Sequence, residues 1–205
     1  MPKRTKIEIA PSFPLALALW GLVSPGEVVL AVLLAALLHE AGHLAALRAF
    51  GVRAGKVRLG ALGAVIKAEE AHRLSYGDEL LVTLAGPAVN LILAPLLSLA
   101  ALRLHWPAGY LLAGAQILLG AFNLLPIPPL DGGSALRLGL SWCFGPLVGD
   151  AVSAVTGAAA AAALTACGAY LTLARGVGGG FLLASGALLL GVLPQLPLAK
   201  YAVRV

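Results

Sequence analysis

The sequence has 205 residues, of which 60% are hydrophobic and 11% are charged, and its formal net charge is +5. Soluble globular domains carry about a quarter charged residues, so this composition excludes that class and indicates an integral membrane protein. The basic residues are dispersed between apolar runs and form no single stripe, which argues against a nucleic-acid partner.

The first apolar segment, Phe13 to Val23, follows Lys3, Arg4 and Lys6 and therefore resembles a secretory signal. We expect the segment to be retained, because it continues through a short turn around Pro25 into the next apolar run without a convincing small-residue processing site. It is then the first of the predicted membrane crossings.

The second helix, predicted from about Val28, carries His39, Glu40 and His43 in an otherwise apolar run. Residues four apart lie on one helix face, one turn apart, so two neutral imidazoles can hold one divalent metal there. Glu40 lies close enough to water on such a metal to take its proton. Each ionisable group costs about 2.5–3.5 kcal/mol to insert in a bilayer, so an accidental occurrence of all three is disfavoured.

The stretch from Val52 to Ile66 differs from the apolar runs, because basic residues and glycines are interleaved with its apolar residues. It predicts strands or a re-entrant segment in place of a crossing helix, and a plain amphipathic surface loop is an equally weighted alternative. An exposed strand edge here could pair with an extended peptide. Gly63, Ala64 and Val65 are therefore the candidate substrate-binding residues.

Four further crossings follow a polar stretch that ends with Ser75 and Asp78, a capping pair for the third helix. The fold class is therefore an all-α polytopic membrane protein with about six transmembrane helices and a short membrane-associated β or re-entrant segment near residues 52–66. The four later crossings are predicted at about Leu80–Ala101, Ala108–Leu125, Asp150–Ala174 and Val177–Leu193.

One domain over residues 1–205 is the simplest account of a chain with no polar region long enough to fold alone. We expect its core at residues 13–137 and C-terminal helices at residues 150–193. The cysteines, Cys143 and Cys167, lie in apolar surroundings and indicate neither a disulfide framework nor a thiolate metal site. We expect both to be buried as small apolar residues.

The fourth crossing ends in the run from Asn123 to Gly133, where prolines stop the helix and Asp131 precedes two glycines. A carboxylate fixed in this way is a candidate third metal ligand, and the alternative is an N-cap for the segment Gly133 to Phe144. Asn123 is a candidate donor to the scissile carbonyl or its oxyanion, with a helix–helix hydrogen bond as the alternative of equal weight.

The loop charges predict an orientation. With the amino terminus in the cytoplasm and six crossings, all basic residues except Arg103 and Arg175 lie on the cytoplasmic side, as the positive-inside rule requires. Both termini are then cytoplasmic. The same alternation places His39, His43 and Asp131 near the cytoplasmic side, where the ends of the second and fourth crossings can meet.

Two histidines and a carboxylate with one position free are the ligand arrangement of a catalytic zinc site. Zinc lowers the pKa of bound water to about 7, and Glu40 would act as general base on that water and return the proton to a leaving amine. The expected reaction is hydrolysis of a peptide bond, with one Zn²⁺ per chain.

These residues resemble the site-2 proteases, a family of intramembrane zinc metalloproteases. The resemblance rests on His39-Glu40-Ala41-Gly42-His43, on Ala85-Gly86-Pro87 with Asn90, and on Asn123 through Leu130-Asp131-Gly132-Gly133, in the family's order. It extends from the first helix to about Arg137, and the chain looks most like the branch that contains stage IV sporulation protein FB. We expect neither a PDZ insertion nor a CBS domain in this chain, and therefore no ATP-responsive control through a CBS domain.

The resemblance implies zinc bound by His39, His43 and Asp131, with catalysis by Glu40. It also implies a membrane-associated protein substrate, such as a pro-sigma factor, and a membrane inhibitor or regulatory partner. The competing readings are a metal-ion transporter and a non-catalytic membrane scaffold. A transporter should show polar residues on several helices along a path, whereas here they converge at one depth.

Overall fold

The computed structural model describes residues 6–60, 63–68, 73–176 and 179–196, and it divides into two compact units. The first extends to Phe122 and the second begins at Asn123. The elements of the first unit are β1 (Lys6–Ile9), α1 (Ser12–Val23), α2 (Gly26–Ala49), β2 (Ala54–Gly60), β3 (Gly63–Ala68), α3 (Tyr76–Leu104) and α4 (Pro107–Asn123), whose last residue falls at the boundary. The second unit contains α5 (Asp131–Phe144), α6 (Pro146–Arg175), α7 (Gly179–Val192) and a 3₁₀ turn (Leu193–Gln195). The prediction of a single domain stays a prediction.

The three strands form one sheet in the order β1-β2-β3. β2 and β3 are antiparallel neighbours, as their closeness in sequence allows, and they confirm the strands predicted between Val52 and Ile66. The surface-loop alternative is therefore wrong for the backbone of residues 54–60 and 63–66, while residues 61–62 lie outside the described part of the chain and the re-entrant placement in a membrane stays a prediction. Every residue of β3 has a partner on β2. The other side of β3 is therefore an edge among the described strands.

β1 is the strand that the sequence reading missed. It pairs in parallel with β2, with Glu8 opposite Arg58 in the register. The Glu8 carboxylate also accepts a charged hydrogen bond from Lys56 Nζ at 2.6 Å, and this bond is the main reason that the pKa of Glu8 is lowered. The alternation Lys-Ile-Glu-Ile was the available signal, but it is only four residues long.

Within the described residues, three helices are long and apolar enough to cross a membrane: α2, α3 and α6. They coincide with three of the six predicted crossings. The segments predicted as the first, fourth and sixth crossings are also helical, but α1, α4 and α7 have 12, 17 and 14 residues. About 20 residues span a bilayer core at 1.5 Å per residue, so length separates these helices from the longer three. Six crossings stay a prediction.

The capping pair predicted for the third helix is confirmed. Ser75 is the N-cap of α3, its Oγ accepts from the Asp78 backbone N–H at 3.2 Å, and the Asp78 carboxylate accepts from the Ser75 N–H at 3.1 Å. This reciprocal pair satisfies two backbone donors at the start of the helix that places Gly86 and Asn90 opposite α2.

In the second unit, α5 packs on α6 where Gly149 lies against Arg137 O and the backbone N of Ser141. α6 begins at Pro146, before the predicted start at Asp150. Cys143 and Cys167 are both exposed, so the expectation that they are buried is wrong. In an apolar helix of a membrane protein a small thiol can face lipid without cost, and hydrophobicity alone does not separate lipid-facing from buried positions.

The orientation of the chain across a membrane stays a prediction. Part of the basic set that supports it lies outside the described residues, namely Lys3, Arg4, Lys200 and Arg204.

Candidate metal centre

α2 presents His39 and His43 together. Their Nε2 atoms are 3.1 Å apart, and the ring centroids are separated by 4.8 Å with the ring planes at 80°. His39 is 5% exposed and His43 is partly buried. The helix therefore brings the two predicted ligand residues to one point, as the four-residue spacing requires.

The buried positions of α2 follow the helix period and continue the face that carries His39. Its buried residues include Ala31, Ala35, His39 and Gly42, whereas Leu37 on another face is 67% exposed. The small residues of this face pack against α4, where Ala31 and Ala35 cluster with Ala115, and Gly42 lies against Ala85 on α3. Because the protein-facing stripe contains His39, its imidazole is turned into the first unit and away from lipid.

Asn90 on α3 forms a hydrogen bond with the Nδ1 atom of His39. His39 Nδ1 and Asn90 Oδ1 are 2.6 Å apart, and Asn90 is fully buried. The Asn90 amide nitrogen donates to the Ala35 carbonyl at 3.1 Å and to Gln116 Oε1. A carbonyl can only accept, so this end of the amide is nitrogen and the end facing His39 is oxygen. His39 Nδ1 therefore carries the proton and donates it to Asn90.

The Nδ1 atom of His43 is fixed in the same way, by a backbone carbonyl group of α3. His43 Nδ1 lies 2.8 Å from the Val82 carbonyl oxygen on α3, which can only accept. Nδ1 is therefore the protonated nitrogen of His43 as well. Metal-binding histidines characteristically donate their second nitrogen to a carbonyl or similar acceptor, which fixes the tautomer and the ring orientation.

Because both rings carry their proton on Nδ1, each Nε2 atom has a lone pair, and the two Nε2 atoms face each other. Two acceptors 3.1 Å apart repel unless a cation lies beside both, so their short separation is not a hydrogen bond between neutral rings. Two nitrogens bound to one tetrahedral zinc ion at about 2.0–2.1 Å each lie about 3.3 Å apart. The donor chemistry and spacing of this pair thus fit a zinc ion.

Gly86 leaves the space in front of these nitrogens open. A Cβ built on Gly86 would lie 2.8 Å from His39 Nε2 and 2.7 Å from Cε1 of His43. Gly42 on α2 has a separate packing role, since a Cβ there would lie 2.7 Å from the Ala85 carbonyl oxygen and 2.9 Å from a methyl group of Val89. The paired glycines let α2 and α3 approach closely, and Gly86 does so at the imidazoles themselves.

Glu40 lies on α2 between the two histidines and is partly buried. Its assignment as general base stays a prediction. The predicted substrate-binding residues, Gly63, Ala64 and Val65, are the first three residues of β3, one of the two edge strands of the described sheet. Their role in binding substrate also stays a prediction.

Asp131 and Asn123 belong to the second unit. Asp131 is partly buried and is the first residue of α5, whose N-cap is Leu130, so the alternative assignment of Asp131 as an N-cap residue is wrong. A Cβ on Gly132 would lie 2.6 Å from the Leu125 carbonyl oxygen, which shows how tightly the preceding loop folds onto this first turn. Asn123 is the last residue of α4 and is partly buried.

Of the three predicted metal ligands, His39 and His43 belong to the first unit and Asp131 belongs to the second. The sequence reading did not identify Gln116 or the hydrogen bonds that Asn90 and Val82 make to the imidazoles. Asn90 and Gln116 were visible as amides in apolar helices, and such residues are expensive in a membrane unless a partner satisfies them.

Comparison with known proteins gives one family. The model of peptidase family M50 matches residues 27–106 and 105–166 of this chain. These residues include α2 except for its first residue, all of α3, α4 and α5, both histidines and the aspartate.

Two curated relatives and one solved structure support this match. A zinc metalloprotease of Methanocaldococcus jannaschii is 32% identical over 125 residues, which cover 58% of this chain and 36% of the relative. Stage IV sporulation protein FB of Bacillus subtilis is 32% identical over 137 residues, 65% of this chain and 47% of that protein. The chain therefore spans between about a third and a half of their length. The structure of the site-2 protease from M. jannaschii is similar with a TM-score of 0.70 and 26% identity, covering 94% of this chain and 91% of that one.

Proposed function

Because this chain belongs to peptidase family M50, as its resemblance to the site-2 proteases predicts, we propose that it is an intramembrane zinc metalloprotease. It hydrolyses a peptide bond in or near the membrane segment of a membrane-associated protein. The observation that supports this most strongly is the pair of Nε2 lone pairs that face each other 3.1 Å apart, each fixed by an acceptor on its Nδ1. A structural histidine pair would gain a hydrogen bond by placing a proton between these nitrogens.

The proposed zinc ligands are His39, His43 and Asp131. When bound, zinc would polarise water and the scissile carbonyl, and two histidines with one carboxylate leave the open position that such catalysis needs. His39 and His43 each donate an Nε2 lone pair, and their Nδ1 hydrogen bonds hold the rings in place. His39 and His43 lie in the first unit, and Asp131 lies in the second unit, which begins at Asn123.

Asp131 is tested by replacing it with alanine. We expect the affinity for zinc to fall by more than about 100-fold, since even changes outside the ligand shell cost about 10–100-fold. The affinity is measured by competition with a chromophoric chelator. Asp150→Ala is the matched control, because this exposed acid lies 4.0 Å from Arg137 and its replacement should leave zinc binding unchanged.

A second role for Asp131 predicts the opposite result. As an acid in the first turn of α5 it would stabilise the helix by about 0.3–1 kcal/mol through the helix dipole. If Asp131→Ala lowered the thermal stability but bound zinc as tightly as the unmodified protein, Asp131 would be removed from the ligand set.

Glu40 is the proposed general base. It takes a proton from the attacking water as the water oxygen bonds to the carbonyl carbon, and it delivers that proton to the amide nitrogen as the C–N bond breaks. Asn123 is the proposed donor to the carbonyl oxygen, which gains negative charge as the tetrahedral centre forms. A side-chain amide can provide such a hydrogen bond without changing its own charge.

The proposed site for an extended substrate is the edge strand β3. β2 occupies one side of β3, so backbone N–H and C=O groups on its other side are available to a peptide in the described sheet. Gly63, Ala64 and Val65 would pair with the substrate there by strand addition. This mode suits a membrane helix, because a peptide bond must leave the helical hydrogen-bonding pattern before it can be hydrolysed.

The proposed substrate class is a membrane-associated regulatory precursor such as a pro-sigma factor. Its support is the similarity to stage IV sporulation protein FB and the resemblance to that branch of the site-2 proteases. A membrane inhibitor or regulatory partner is part of the same proposal. The six predicted crossings would place both termini in the cytoplasm and the catalytic residues near the cytoplasmic side.

The function is tested by cleavage in lipid vesicles of a labelled single-helix membrane substrate. We expect product to form with the zinc-loaded protein, to disappear after treatment with a chelator, and to return when zinc is added in slight excess. Metal content is measured in parallel. Zinc movement into the vesicles without any cleavage would support transport and contradict the proposal, and zinc-independent cleavage would contradict the metal mechanism.

A further inference from the structure

Gln116 is a buried amide in the middle of α4. It is completely buried between apolar neighbours in the helix. Its Oε1 accepts a hydrogen bond from Asn90, whereas its Nε2 is buried without a hydrogen-bond partner among the residues that the structure describes. Burying unpaired N–H groups is costly. Packing stability alone therefore gives no reason for a glutamine at this position.

Asn90 connects Gln116 to the metal centre. Its amide nitrogen faces two acceptors, Gln116 Oε1 and the Ala35 carbonyl, while its amide oxygen faces His39 Nδ1 at 2.6 Å. Turning the amide over would set its oxygen against two oxygens and its nitrogen against His39. Ala35 lies one turn before His39, so its carbonyl also belongs to the hydrogen-bond ladder of α2. Gln116 is thus the acceptor dedicated to Asn90.

The orientation of Asn90 determines which nitrogen of His39 can donate to a metal. With the amide oxygen towards Nδ1, the proton stays on Nδ1 and Nε2 keeps its lone pair beside Gly86. With the amide turned over, Nδ1 would accept and the proton would move to Nε2, which could then no longer bind a metal. The two amide orientations therefore differ in metal binding.

We propose that Gln116 is a positioning residue that acts through Asn90 to hold His39 in the tautomer that carries the proton on Nδ1 and the lone pair on Nε2. The inference rests on the proposed function only in taking the metal to be zinc. It assigns a role to α4, which contributes no proposed ligand. To hold Asn90 in this orientation, the side chain at position 116 must end in an acceptor atom. A buried side chain of the same length without an acceptor would not hold it.

The test compares Gln116→Met with Gln116→Glu. Both keep the length of the side chain, but only glutamate keeps an acceptor oxygen for Asn90. We expect Gln116→Met to bind zinc about 10-fold more weakly, in the range for residues that orient a ligand, and Gln116→Glu to stay within about 3-fold of the unmodified protein. Gln195→Met is the control, because Gln195 is exposed on the 3₁₀ turn and donates to Gly191.

The thermal stability of the metal-free proteins separates positioning from packing. Gln116→Met removes the two unpaired N–H groups of Gln116 and leaves one N–H group of Asn90 without its acceptor. The number of unpaired N–H groups therefore does not rise, and the melting temperature should not fall. Equal loss of zinc affinity in the methionine and glutamate variants would overturn the proposal, as would unchanged affinity in Gln116→Met. A loss of affinity that only tracks a loss of stability would also overturn it.

The tautomer itself is measured without metal or substrate by the ¹⁵N chemical shifts of His39. We expect the proton on Nδ1 in the unmodified protein and a substantial population with the proton on Nε2 in Gln116→Met. The same tautomer in both would contradict the proposal. If the unmodified protein bound no zinc, the proposed function would fail, whereas this measurement would still decide the role of Gln116.

Discussion

Replacing Glu40 with glutamine is expected to reduce peptide hydrolysis by about 10²- to 10⁴-fold while the zinc content of the protein stays unchanged. The loss follows from removing the group that accepts the water proton, since a positioned general base contributes a factor of this size. Zinc binding should persist because the Nε2 atoms of His39 and His43 do not depend on Glu40 for their Nδ1 hydrogen bonds. Product formation in vesicles and metal analysis of the same preparation are the measurements.

Two further variants make the Glu40 result specific. Glu27→Gln removes an exposed acid from the first turn of the same helix and should leave cleavage unchanged. His39→Ala should bind less zinc than Glu40→Gln. Full activity in Glu40→Gln would end the proposed mechanism, and equal zinc in the His39 and Glu40 variants would exclude His39 as a ligand.

The second large effect is expected from the smallest substitution, Gly86→Ala. Its new methyl group would lie within 2.8 Å of His39 Nε2 and 2.7 Å of His43 Cε1, so at least one imidazole must move. Displacing a ligand should weaken zinc binding by more than about 100-fold, beyond the effect of changes outside the ligand shell. Chelator competition measures the affinity, and cleavage should fall with it.

Other glycines serve as controls for Gly86. Gly114→Ala on α4 adds a methyl group with open space around it, so zinc binding should not change. Gly42→Ala should instead lower thermal stability, since its methyl group meets Ala85 and Val89 at the α2–α3 contact. Tight zinc binding by a folded Gly86→Ala protein would show that the imidazoles do not hold the metal in the way described.

Local sequence was sufficient for the part of the metal centre that one helix determines. The spacing of His39 and His43 predicts a shared face, and α2 places their Nε2 atoms 3.1 Å apart. Helices were found wherever apolar runs predicted crossings, because hydrophobicity and helix propensity act over neighbouring residues. Their ends were less predictable: α6 begins at Pro146 because proline fits the first helical turn, whereas the reading began it at Asp150.

The contacts that orient the histidines could not be read from local sequence. Asn90 lies 51 positions from His39 and 26 from Gln116, so their hydrogen bonds arise only once α2, α3 and α4 pack together. Likewise, β1 becomes a strand through parallel pairing with β2, and four alternating residues carry too little information to predict it. Helix length was also beyond prediction from local sequence. Apolar character predicts that α1 is a helix, but it does not predict that this helix has only 12 residues.

β1 also has a practical consequence for handling the protein. It shields one flank of β2, so the two edges of the described sheet lie on β1 and β3. Trimming the chain through Ile9 would move one edge of the sheet from β1, which has 4 residues, to β2, which has 7, and a longer row of unpaired backbone groups is a better template for edge-to-edge aggregation. Recombinant versions should therefore keep this amino-terminal segment intact and carry any affinity tag ahead of it on a flexible spacer.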